Sequence, residues 1–173
     1  MPKQSTFPPL HLRGFSLIEL MVAVAILAIL ASIAAPAMQD MIVQSRLTSQ
    51  TNELLSAVQF ARGEAIKRNQ SIRLCSADSA GDTACGGNWA HWVVLNANNT
   101  VLRQGSLPGT LRLSSTLSSD TLTFLPTGLN DVTVGTSDSL VLCSPTGTGD
   151  TRRTITVRLA GGTSIEKSSS GCS

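Results

Sequence analysis

Few side chains in this sequence have the reach to do chemistry. They are four cysteines (Cys75, Cys85, Cys143, Cys172), one histidine beyond residue 14 (His91), and one carboxylate set inside a long apolar run (Glu19). A Ser–His–Asp or Cys–His device would have to be built around His91. The local pattern Trp89-Ala90-His91-Trp92 reads instead as a strand carrying an exposed structural histidine. Cys75, Cys85 and His91 lack the compact spacing of a zinc site, so no metal is expected. Gly161 and Gly162, and residues 145–149, are turns and not phosphate loops, because no Gly-Lys-Ser/Thr follows. Neither catalysis nor a cofactor is expected.

The cysteines point elsewhere. None forms a C-x-x-C pair, and all lie beyond the apolar segment. An even number after an export-type segment implies two disulfides in an oxidising compartment such as a bacterial periplasm, with every pairing of the four still open. Charge narrows the partners. The formal net charge of +2 depends on Lys3 and Arg13, and without residues 1–14 the positive and negative groups balance. No global basic field remains to attract nucleic acid. With 14% charged residues, the chain also lacks the high net charge of a disordered one.

Glu19 demands an element to hold it. Residues 1–14 are polar, proline-containing and mildly basic, and residues 15–38 are apolar with Glu19 as their only charge. At about 1.5 Å per residue such a helix reaches roughly 36 Å, enough to span a bilayer. Lys3 and Arg13 hold its N-terminal side in the cytoplasm. A cleaved secretory signal is one alternative, since Ala35-Pro36-Ala37 fits an A-x-A site, yet the apolar run exceeds the usual signal core of about 7–15 residues. An ordinary signal anchor is the other. It leaves unexplained an acid that costs about 2.5–3.5 kcal/mol inside a spanning helix and so calls for a partner.

Gly14-Phe15-Ser16-Leu17-Ile18-Glu19-Leu20, followed by the apolar run and Pro36, resembles the class III signal of type IV pilins and type II secretion pseudopilins. That resemblance implies a prepilin peptidase that cuts after Gly14 and N-methylates Phe15. Glu19 then becomes the fifth residue of the processed chain. A new ammonium on Phe15 and the Glu19 carboxylate are each costly in an apolar layer, and pairing between neighbouring subunits neutralises both. Pro36 removes one helical hydrogen bond and is expected to kink or loosen the helix. The implied topology is a single pass through the inner membrane, with the C-terminal domain in the periplasm. Other pilins or pseudopilins are the implied partners in a filament.

Beyond residue 38 the helix becomes amphipathic. Leu47, Leu54, Val58, Ala61 and Ala65 form a stripe that Leu55 and Ile66 widen, with Arg46, Gln50, Glu53, Arg62 and Lys67 opposite. One helix is expected over about 15–68, ending near Asn69. Arg62, Lys67, Arg68 and Arg73 read as a solvated cationic face near the helix C-terminus. Short alternating runs follow at 72–74, 92–95, 100–103, 111–113, 121–125, 140–143 and 154–159. Turn residues separate them at 96–99, 108–109, 126–128, 145–149 and 161–162. This predicts antiparallel sheet, arranged as two small sheets, with the helix covering one face. The fold class is α+β and pilin-like. Its parts are a removed leader (1–14), a membrane or filament-core helix (15–38), an amphipathic helix (39–69) and a β-rich periplasmic domain (70–173).

Residues 55–75, then Cys75 and Cys85 flanking a Gly/Asp-rich loop before Trp89 and Trp92, resemble the GspH/FimT group of minor pilins and pseudopilins. By that analogy the disulfides are Cys75–Cys85 and Cys143–Cys172, which favours the type IV pilus branch; the small domain and the resemblance to low-abundance members favour a tip or priming role. Some members of the group bind DNA through a Gly-Arg-x-Arg motif. The corresponding stretch here is Gly161-Gly162-Thr163-Ser164, without either arginine. Alternation nearby places Arg152 and Arg158 on one strand face. With Arg153 or Lys167 they are candidates for weak, salt-sensitive phosphate contact during DNA uptake.

Overall fold

The computed structural model describes residues 14–132, 134–146 and 149–172, with the side chains of Pro36 and Ala37 excepted. The leader, apart from Gly14, lies outside the described residues. Two compact units divide the chain, Met1–Met38 and Gln39–Ser173.

Helix α1 spans Leu17–Arg68. Ser16 caps its start: the Ser16 hydroxyl accepts the Glu19 backbone N–H at 3.2 Å, satisfying one of the orphan donors of the first turn. Its end is a Schellman closure. Asn69 takes a left-handed φ of 50°, and the N–H groups of Asn69 and Gln70 reach back to the carbonyls of Ile66 and Ala65. The helical backbone runs on through position 36.

Within Gln39–Ser173, eight strands form two antiparallel sheets. They are β1 (Ile72–Ala77), β2 (His91–Leu95), β3 (Val101–Ser106), β4 (Arg112–Ser115), β5 (Thr121–Phe124), β6 (Ser137–Cys143), β7 (Arg152–Arg158) and β8 (Thr163–Ser168). The first sheet is ordered β3-β2-β1-β5 and the second β4-β6-β7-β8. Leu47, Leu54, Ala57, Val58, Ala61 and Ala65 of α1 share one buried cluster with both sheets. Ile72, Leu74, Trp92, Val94, Leu122 and Phe124 come from the first sheet, and Leu140, Leu142, Ile155 and Val157 from the second. Each fully buried side chain of this size contributes about 1.5–3 kcal/mol by leaving water. Gly105 sits opposite Trp92 in register, where a Cβ would fall 2.2 Å from the indole, so a side chain at this position would collide with the ring.

The other face of the first sheet carries a second cluster of Cys75, Ala77, Val93 and Leu95, against which Cys85 packs. Disulfides join Cys75 to Cys85 and Cys143 to Cys172.

The structure corrects several sequence-based expectations. Strand β8 was not anticipated: Thr163–Ser168 has Ile165 as its only apolar residue and lies at a sheet edge, so burial leaves no alternation to read. Ile66 does not widen the buried stripe but is 53% exposed. The cationic face near the helix end is not simply solvated either. Lys67 and Arg68 both bond Glu64, and the Arg68 guanidinium, the stronger influence, holds that carboxyl below its usual range. Arg73 bonds Asn99. Arg62 donates to the carbonyls of Gly128 (3.0 Å), Ala160 (2.9 Å) and Gly161 (3.3 Å).

Candidate assembly and processing segment

Gly14, Phe15 and Glu19 lie together at the start of α1. A Cβ at Gly14 would meet nothing within 4 Å among the described residues. Phe15 is 79% exposed, and the apolar side chains that follow, from Leu17 to Ile33, are exposed as well. The most apolar stretch of the helix has a mean hydropathy of 2.7, enough to cross a membrane by length and composition. Among the described residues the Glu19 carboxylate has neither a hydrogen-bond nor an ion-pair partner. An acid on an otherwise apolar helix is costly in a hydrocarbon layer unless it is paired. Ser16 was not singled out from the sequence, although Ser16 followed by Glu19 three residues later at the head of an apolar run is the pattern of an N-capping box.

The four cationic candidates do not converge. Arg152 and Arg158 share the outer face of β7, and β4–β6–β7 register brings Arg112 into the same row as Arg152. Glu166 of β8 pairs with Thr154 on that same face. Lys167 pairs with Arg153 and so belongs to the opposite face. Arg153 is buried, 4% exposed, with its guanidinium on the Asp150 and Arg152 carbonyls and on Gln44 Oε1 at 2.7 Å. It is a structural clamp between α1 and β7 with no surface left for a phosphate. Alternation could have shown this, since Arg153 falls in phase with Ile155 and Val157.

A long capped helix with an apolar N-terminal stretch, followed by two antiparallel sheets sharing a core with its C-terminal part, is the architecture of a pilin-type subunit. The family described as type II transport protein GspH matches residues 50–161, and the prokaryotic N-terminal methylation motif matches residues 12–35. The chain belongs to the GspH family, whose members are structural pilin and pseudopilin subunits and not enzymes. The type IV major alpha-pilin and fimbrial protein Q of Moraxella bovis are each 55% identical over 42 residues, 24% of this chain. The chain spans about a quarter of the length of these curated relatives (26% and 27%).

Among solved structures, the type IV minor pilin FimU of Pseudomonas aeruginosa matches at 22% identity with a TM-score of 0.53, over 76% of this chain and 92% of that one. The minor pseudopilin EpsH of the Vibrio cholerae type 2 secretion system matches at 16% identity and a TM-score of 0.51, over 70% and 97%. At these identities the likeness shows the fold.

Proposed function

We propose that the chain is a minor pilin or pseudopilin. It is cut after Gly14, N-methylated on Phe15, and held by residues 15–38 in the bacterial inner membrane with its β-rich domain in the periplasm. From there it enters a type IV pilus or type II secretion pseudopilus, at the tip or in priming assembly. The observation that carries this reading is the Glu19 carboxylate, without a partner among the described residues, on an exposed apolar helix four residues from the Phe15 nitrogen that cleavage would release. In an apolar layer each charge is costly alone, and an amine of one subunit against Glu19 of the next relieves both.

The test is Glu19→Val. Removing the acid leaves membrane insertion intact or improves it, and the variant should be depleted from sheared filaments relative to wild type. Equal incorporation of the two contradicts the pairing.

A role in DNA uptake is the second reading, favoured by the row of Arg112 and Arg152 and by the exposed Arg158 on the same sheet face. Glu166 on that face, the balanced charge beyond residue 14 and the missing motif arginines all argue for the structural role first.

A further inference from the structure

A groove of about 470 Å³ opens between two backbone walls in the Gln39–Ser173 unit, lined by Leu129 and Gly135 on one side and Leu159 and Ala160 on the other, with Arg158 at its mouth. The surroundings are unusually apolar for a surface: Leu129 is 40% exposed, and Val134, next to Gly135 in the chain, is 81% exposed. Ile66 also stands exposed, close against the Gly128 backbone. The groove itself is lined by the apolar Leu129, Leu159 and Ala160 with Thr136, Ser137 and Arg158 at their side, and exposed apolar surface rimmed by polar groups marks an interaction site.

The walls are fixed in advance. The Arg62 guanidinium bonds the Gly128 carbonyl of one wall and the Ala160 and Gly161 carbonyls of the other, and the Asn130 N–H bonds the Leu159 carbonyl at 2.8 Å. A groove held this way asks little ordering entropy of its occupant. Arg158 is its uncompensated charge. The guanidinium makes one long hydrogen bond, to Ser164 Oγ at 3.4 Å, and has no ion pair among the described residues.

We propose that this groove docks a segment of a different subunit, one that presents an apolar side chain beside a carboxylate. The apolar group fills the space between Leu129 and Leu159, and the carboxylate takes the fork of Arg158. Among the described residues Arg158 is the one cation lining the groove, with Arg152 six residues away along β7, and a polyanion is held by several cations together. A minor subunit at the tip or in priming assembly meets subunits of other sequence and not a second copy of itself. The inference rests on the filament reading above.

A photo-reactive benzophenone amino acid placed at Leu129 or Val134 of the full-length chain, in cells that assemble the filament, tests it. The same probe at Ile26, in the apolar helix, reads assembly alone. The expected result is an adduct from the groove to one protein of different sequence. It should be only partly reduced in Arg158→Lys, which keeps the charge but not the fork, and reduced at least about tenfold in Arg158→Glu, as loss of a charge pair at an interface implies. Adducts at Ile26 with none from the groove overturn the docking site and leave assembly standing. So does a groove adduct that survives Arg158→Glu, or one formed with lipid, nucleic acid or another copy of the chain. Absence of adducts at both places removes the assembly reading and this inference with it.

Discussion

Arg62 shows how much one side chain can organise. It leaves α1 on what the helical wheel makes a polar flank, yet its guanidinium gathers three backbone carbonyls from two separate turns. Gly161, with φ of 72°, has room only for hydrogen at that point, because a Cβ would lie 2.5 Å from Arg62 Nε. Hydrogen bonds to charged donors are worth about 1.5–3 kcal/mol net, and carbonyls left unpaired add to the loss. Arg62→Ala should therefore destabilise the domain by about 2–3 kcal/mol in urea unfolding of a soluble form starting near Met41. Arg62→Lys should recover only part of that, because a single ammonium cannot span the three acceptors. An unchanged midpoint for Arg62→Ala would show that the carbonyls find water at no cost. From sequence the residue read as solvated, since nothing in its neighbourhood along the chain tells of partners near positions 128 and 161.

At the scale of elements, legibility followed burial. The helical stripe from Leu47 to Ala65 was readable because every third or fourth residue faces the shared core. The alternation of β7 and the apolar run of β2 were readable for the same reason. Strand β3 runs to Ser106, beyond the run expected over 100–103, because its later residues, Gln104 to Ser106, carry no apolar signal. Strand β8 escaped entirely. The cysteines follow a different logic: Cys75 is fully buried on the outer face of the first sheet, and its bond to Cys85 ties the intervening loop to that face. The bonds close stretches of 10 and 29 residues. Loops of this length stabilise by about 2–4 kcal/mol on the chain-entropy account. Non-reducing peptide mapping of periplasmically produced domain should return Cys75–Cys85 and Cys143–Cys172. A Cys85–Cys143 peptide would refute the local-loop arrangement.

For the whole molecule, the two units carry two kinds of surface. From Phe15 to Ile33 the first unit presents exposed apolar side chains interrupted by one acid, and the Gln39–Ser173 unit presents polar sheet faces with scattered, nearly balanced charge. Such a domain should bind duplex DNA weakly or not at all at physiological salt. Residual binding should come from Arg152 and Arg158, ignore sequence and fall steeply with salt. Gel shifts across a salt series, on wild type and on an Arg152→Ala/Arg158→Ala double variant, decide this. Sub-micromolar binding that the double variant abolishes would make DNA uptake the primary role. The central claim, processing followed by assembly, is tested most directly by intact-mass measurement of the chain recovered from sheared filaments. The account predicts a polypeptide that begins at N-methylated Phe15 and carries two disulfides, with Gly14→Val accumulating uncut in the membrane. A chain beginning at Met38, or absent from filaments altogether, would contradict it.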